Sequence, residues 1–313
     1  MTTPLFIPAS TVSHPDVVSY ISIAEYLSAP TSVDTSQLYV GGTTAENLDE
    51  LANVIGRASD WANGICYQIL AATLDTETDS GVYVRHDGTV RARCSFWPIR
   101  ELDSFSVGRV PSRMDSIVEP SDVWLDGRKV LVVSAGGVTS NARSSDVFAL
   151  YGAVRPGSRV YIQWSYWNGW FHSTLASAPS VGATSLTLTT ILPQSAAGVS
   201  LTIPDAANTE TVQVASTFTG GTVIPLTNPT VYAHPSSGNS ITLPQSITVT
   251  ELPPKIRQAT ISLTSCLIKI RGTQAEVMPS IGQAPSQSAL IQSGGLDDFQ
   301  AALKLLEVYR RSA

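Results

Sequence analysis

VYIQWSYWNGWFHSTLASAPSVGATSLTLTTILPQSAAGVSLTI, residues 160–203, opens the stretch that decides how this chain is read. From Val160 to Pro254 there is no lysine and no arginine, while hydroxyl, β-branched, Gly and Pro residues abound. Apolar pairs two apart recur at Leu186/Leu188, Leu201/Ile203, Val212/Val214, Ile241/Leu243 and Ile247/Val249, with an apolar run at Val223–Leu226. A period of two broken by Gly, Pro, Asn and Asp is the pattern of short half-buried strands, and such spacing suggests a small sandwich or barrel. Asn168-Gly169 is a two-residue turn signal, and it predicts a hairpin with Trp170–Leu175 as the return strand.

Outside this stretch the period changes. Val17, Tyr20, Ala24 and Leu27 share a helical face between Pro15 and Ala29. Thr43-x-x-Glu46 fits a capping box, and Leu48, Leu51, Ile55, Ala58 and Ala62 extend a second helix over about 43–70. The acidic run 75–81 reads as a loop. After it, Val82, Val84, Val90, Ala92 and Cys94 alternate around Asp87-Gly88 as a hairpin. Pro253-Pro254 opens a third helix along Ile256, Ala259, Leu263, Cys266, Leu267 and Ile270, although the β-branched Thr260, Ile261 and Thr264 weaken it. Residues 273–295 are a polar connector. Leu296 to Arg311 is a terminal amphipathic helix with Asp297 and Asp298 at its start and Arg310 and Arg311 at its end.

These segments give an α+β fold class: a helical core from both ends of the chain, β-hairpins, and an inserted small β-sandwich or barrel. The expected division is 1–175 for the N-terminal helices and hairpins, 176–250 for the insert, and 251–313 for the helices that return to the core. A chain of 313 residues is long enough for about two domains.

Composition narrows the function. Only 14% of residues are charged, well below the roughly 25% of ordinary soluble domains. A surface that is covered by neighbours, or kept wet by hydroxyls, fits that figure. The net charge of −6 argues against gripping nucleic acid through its phosphates, though not against DNA sliding past. Cys66, Cys94 and Cys266 are far apart, with no C-x-x-C, so they read as buried free thiols. Met1 to Pro8 lacks a signal-peptide pattern, and no apolar run reaches the roughly 18 residues of a membrane span. The expectation is a soluble protein made in the cytoplasm.

No catalytic, cofactor or metal site emerges. Asp75-x-Glu77-x-Asp79 resembles the start of a calcium loop, but its glycine is one place late and His86 stands where a bidentate Glu belongs, so it reads as an acidic loop. His14, His86, His172 and His234 show no metal-ligand spacing, and no nucleophile elbow or phosphate loop is present. Trp164, Tyr166, Trp167, Trp170 and Phe171 crowd one region. They read first as a hairpin on its own core, then as a subunit contact. Arg85, Arg91, Arg93 and Arg100 read as salt-bridge partners or a solvated face.

Several runs in order carry a resemblance: Ile55-Gly-Arg-Ala-Ser-Asp-Trp-Ala-Asn-Gly-Ile-Cys66, then Leu70-Ala-Ala-Thr73, Asp87-Gly88, Trp97-Pro-Ile-Arg-Glu-Leu102 and Gly108-x-x-Pro111. They continue with Gln163-Trp-Ser-Tyr-Trp-Asn-Gly-Trp170, Leu252-Pro-Pro-x-Ile-Arg-Gln-Ala259 and a terminal A-x-x-L-L-x-x-Y-R over 301–310. Taken together the chain resembles the head-to-tail connector (adaptor) proteins of long-tailed bacteriophages, in the larger form that carries a β insertion. The resemblance implies a structural protein of the virion neck that forms a ring of about twelve copies. It implies partners in the portal protein and in a stopper or tail-side protein, with DNA passing through the lumen unread. The residues expected at a portal or subunit interface are Leu296, Phe299, Leu303, Leu306, Tyr309, Arg310, Trp167 and Trp170. The insert is expected to project away from the channel. Another neck, tail or baseplate component, or a carbohydrate-binding module, are the competing readings.

Overall fold

The computed structural model describes residues 19–86, 89–110, 113–117, 123–126, 130–134, 157–205, 208–234, 247–271 and 295–310. The fold is α+β. Its described residues fall into two compact units, one built from 73–169 and the other from 19–72 together with 170–310. This division cuts across the three-part layout drawn from composition, because strand pairing rather than composition sets the boundaries. The turn at Asp87-Gly88, the strand expected around Ile241 and Leu243 and the connector up to 294 lie outside the described residues.

Among its described residues the helical part of the second unit has four helices. α1 (Ile23–Ser28) is capped by the Ser22 hydroxyl, which accepts the Glu25 N–H; it is shorter than the helix expected from residue 15. α2 (Thr44–Cys66) starts at the Thr43/Glu46 capping box and stops where Tyr67 turns left-handed, at φ 55°. α3 (Pro254–Arg271) forms despite its β-branched residues. The buried hydroxyls of Thr260 and Thr264 donate to the carbonyls of Ile256 and Thr260, which removes the cost of placing them in the core. α4 (Leu296–Leu306) continues as a single 3-10 turn, Glu307–Tyr309, so the regular helix is shorter than expected. Val54, Ala58, Trp61 and Ala62 of α2, Ile256, Ala259, Leu263 and Leu267 of α3, and Ala302 and Leu306 of α4 form one core.

The same unit carries a β barrel. Its strands are β8 (His172–Thr174), β9 (Ser185–Leu192), β10 (Ser200–Ile203), β11 (Glu210–Gln213), β12 (Gly221–Pro225) and β13 (Thr248–Thr250). One sheet runs β11-β10-β13-β8 and the other pairs β12 with β9. Antiparallel bridges Leu175↔Leu188 and Val214↔Leu226 join the two at both ends. The pairing therefore closes as β8-β13-β10-β11-β12-β9-β8, and closure leaves no strand edge open among these six. Phe171, Leu175, Leu186, Leu188, Leu201, Ile203, Val214, Phe218, Ile224 and Val249 fill the interior.

The first unit holds β1 (Thr73–Tyr83), β2 (Thr89–Arg93), β3 (Ile99–Val110), β4 (Arg113–Ile117), β5 (Val123–Asp126), β6 (Val130–Ser134) and β7 (Arg159–Asn168). They make two antiparallel sheets, β1-β7-β3-β4 and β2-β6-β5. Val90, Ala92 and Leu131 from one and Phe105, Val107, Ile162, Trp164 and Tyr166 from the other share a core, which is a sandwich arrangement.

Two expectations are corrected here. The hairpin across Asn168-Gly169 does not form. β7 already has β1 on one edge and β3 on the other, so no edge is left for β8, which pairs with β13 instead. The acidic run is not a loop: residues 73–83 are strand, with a register shift between Asp79 and Val82. Ala71 and Trp170 form a parallel bridge, and Thr73 pairs with Asn168, so residues 73–169 begin and end side by side. Adjacent ends are what an inserted module needs to fold without stretching its host.

Ile203 is fully buried in the barrel interior. Ile203→Ala is expected to lower unfolding free energy by about 2–5 kcal/mol in a denaturant titration. A loss under about 0.5 kcal/mol, the size of an ordinary surface change, would mean that this interior is not packed as described.

Candidate interaction surface

The residues expected to dock on another protein lie in α4, its 3-10 extension and the tryptophan region. Leu306 is fully buried in the chain's own core, as is its helical neighbour Ala302. Phe299 is half-buried and meets Trp61 edge-on at 6.1 Å. Leu296 packs on Cys266 and Ile270. Tyr309 meets Trp170 edge-on at 5.4 Å, and both rest on the helical core. Polar contacts tie the segment down further: Gln68 Nε2 donates to the Tyr309 carbonyl at 3.0 Å, Lys269 pairs with Asp298 at 2.7 Å, and the Arg310 guanidinium lies 5.5 Å from the Tyr67 ring centre.

The terminal helix thus fills a groove between α2 and α3 of its own chain. Leu306 and Tyr309, both expected at an interface with another protein, find their packing within the chain, against α2 and α3. Leu303 is half-buried, Arg310 is exposed, and Val308 and Tyr67 are exposed at 63% and 62%. These four, rather than Leu306, are free to meet a neighbour at this end of the helices.

Trp167 and Trp170 belong to different compact units. Along β7 the side chains alternate, with Val160, Ile162, Trp164 and Tyr166 buried and Tyr161 and Trp167 half-buried on the other face. Trp170 belongs to the helical core. The crowding in sequence therefore divides among the sandwich core, the helical core and, through Phe171, the barrel interior.

The acidic trio on β1 is structural. Asp75 is buried and accepts from Asn168 Nδ2 at 2.6 Å and from the Thr73 hydroxyl at 3.1 Å. Glu77 accepts from the Tyr166 hydroxyl and from the Ser95 N–H at 2.9 Å. Asp79 accepts the Gly81 N–H. Burial beside Glu77 raises the Tyr166 phenol well above its usual range. Of the arginines, Arg91 pairs with Asp126 at 2.9 Å across the sheet, and Arg100 Nε donates to the Gly169 carbonyl.

Burial pushes all three thiols, Cys66, Cys94 and Cys266, up to about 12, which keeps them protonated and unreactive near neutral pH. Among the described residues no group of three His, Cys, Asp or Glu side chains is placed to hold a metal ion, and no helix is long and apolar enough to cross a membrane. Comparison of the chain with known family models, with curated proteins and with solved structures finds no match.

His172 is fully buried, with Nε2 2.8 Å from the Ser19 carbonyl and its ring edge-on to Tyr20 at 5.5 Å. Burial pushes the imidazole down to about 4, and the nearby Arg257 charge acts in the same direction.

Two measurements check this arrangement. Leu306→Ala should cost about 2–5 kcal/mol of stability and Leu303→Ala under about 1 kcal/mol; equal losses would contradict the placement of α4. For His172 the unfolded chain takes up a proton below the ordinary value of 6.5 while the folded chain does not, so stability falls as pH drops. Between about pH 7.5 and 5 the wild type should lose about 2 kcal/mol more than His172→Gln, read from denaturant midpoints. Parallel curves for the two proteins would rule out a neutral, buried His172.

Proposed function

We propose that this chain is a structural subunit of a bacteriophage neck, a head-to-tail adaptor that assembles as a ring beneath the portal and lets DNA pass through its lumen. The observation that supports it most is a convergence. The runs that carry the resemblance lie far apart in sequence, and they supply Trp61, Ala62 and Cys66, then Leu252, Ile256 and Ala259, then Ala302, Leu306 and Tyr309 to one helical core. That is the pattern expected if these runs are the packing signature of a common adaptor core, with the β modules as additions to it.

Charge supports the same reading. The net charge is −6, so the chain as a whole offers passing DNA little phosphate attraction. A conduit benefits from such a wall, because each neutralised phosphate would add friction. Beside the helix ends the exposed Tyr67, Val308 and Arg310 and the half-buried Leu303 join an apolar surface to a cation and suit contact with a portal or a neighbouring subunit. On this reading the protein acts in the virion neck without catalysis, with the portal on one side and a stopper or tail-side protein on the other.

The test is assembly. The purified chain, alone and with the portal of the same particle, is measured by native mass spectrometry and negative-stain microscopy. A closed ring of about twelve copies that binds the portal is expected. A chain that stays monomeric with and without portal, and is missing from purified necks, would sink the proposal. A ring that binds only the tail-side face of another neck protein would make it a stopper.

A further inference from the structure

The barrel contains a buried ionic group that has no part in the reading above. His234 is fully buried, with Nδ1 3.1 Å from Asp205 Oδ2 and Nε2 3.8 Å from Glu210 Oε2. Among the described residues the Nε2 atom has no hydrogen-bond partner. Between Val160 and Pro254 the sequence has three carboxylates, Asp205, Glu210 and Glu251, and two of them meet at this one imidazole.

The group ties down a definite segment. Glu210 Oε2 also accepts the backbone N–H of Val231 and of Tyr232, each at 3.0 Å. The His234 N–H donates to the Pro179 carbonyl at 3.1 Å, and the Thr230 hydroxyl donates to the Ser180 carbonyl at 2.8 Å. Residues 230–234 are thus clamped between the start of β11 and the turn 179–183. They present Val231 and Tyr232 outward, at 65% and 42% exposure, and the turn presents Val181 at 66%.

We propose that His234 is a proton-operated latch that fixes residues 230–234, and with them the Val231–Tyr232 tip, on the barrel. With both ring nitrogens protonated, Nδ1–H donates to Asp205 and Nε2–H is directed at Glu210, so a positive ring sits between two negative groups. With the Nε2 proton gone, a lone pair faces the Glu210 carboxylate and only the Asp205 bond remains. The latch tightens when the proton binds and loosens when it leaves. Protection of the segment therefore falls when the ring gives up its second proton. This sign is opposite to that of His172, whose burial weakens the fold as pH falls. Asp205 faces the ring from the loop after β10 and Glu210 from β11. The turn 179–183 brings no titratable side chain, Tyr232 points outward, and Ala206, Ala207 and residues 235–246 include none. The barrel end then offers its apolar tip in one fixed shape at lower pH and in a looser one at higher pH.

Amide hydrogen exchange on the full chain tests this, with rates corrected for intrinsic pH dependence and compared at about pH 6 and about pH 8.5. The Val231, Tyr232 and His234 amides should lose about tenfold in protection at the higher pH relative to the Leu186 and Leu201 amides, which report the barrel as a whole. Glu210→Gln, which keeps an acceptor for the two backbone N–H groups but removes the charge, should flatten that dependence. Equal protection at both pH values, or an undiminished drop in Glu210→Gln, overturns the latch. Ring-nitrogen NMR of the wild-type chain decides even if the variant does not fold: a second proton on His234 at the lower pH is expected, and a single proton throughout overturns the proposal.

Discussion

The seam where α2, α3 and α4 meet is the constraint on which the rest of this chain depends. Ala58, Ala62, Ala259 and Ala302 are fully buried there, and residues this small let helix axes come close enough for Leu263 and Leu306 to fill the remaining space. The partners are remote in sequence: the Cys66 thiol lies against the Leu306 carbonyl, 240 positions away. Closing so long a loop costs entropy that grows only slowly with its length, and two β modules with their own cores occupy most of the intervening chain. The helical core therefore tolerates the modules, and the modules bring its halves together by starting and ending close to one another. Ala71 beside Trp170 shows how this is done at the level of single residues.

The helices were legible because their information is local. A capping box at Thr43, a stripe at three and four, and Pro253-Pro254 before α3 are each visible within one turn or two. What proved harder was partnership. Asn168-Gly169 is a sound turn signal, yet a turn dipeptide specifies a hairpin only if the strand before it has a free edge. β7 has none, since β1 and β3 take both sides, and no count of residues around the turn reports that. The barrel strands were visible one by one for the same reason that their circuit was not: alternation marks a strand, while closure depends on pairs as distant as Thr248 with Thr174.

The acidic run on β1 failed in another way. Carboxylates lower strand propensity, so 75–81 reads as loop when taken alone. Asp75 and Glu77 sit in a strand because Asn168, Thr73, Tyr166 and Ser95 satisfy them there, and each of those donors except Thr73 lies well away in sequence. A similar blindness hid the Asp205–His234–Glu210 group. The available signal was scarcity rather than a motif: in a stretch with three carboxylates, any two at one side chain stand out.

Scarcity of charge also bears on what the barrel is for. A fully wetted β exterior usually carries lysine and glutamate, partly to keep strand edges from pairing with other chains. Here that protection comes from topology, because the circuit is closed and exposes no edge among its described strands. Its outer positions on β9 are Ser185, Thr187, Thr189 and Ile191. Hydroxyls of this kind bond across the surface, as Thr174 does with Thr189 at 2.7 Å, and they keep the strands wet without adding charge. A barrel that needs no lysine to stay unpaired is free to be neutral. A neutral wall has no strong electrostatic preference for what lies beside it. What then distinguishes one end of the barrel from its walls is the apolar tip at Val181, Val231 and Tyr232, held in place by two of the module's few carboxylates.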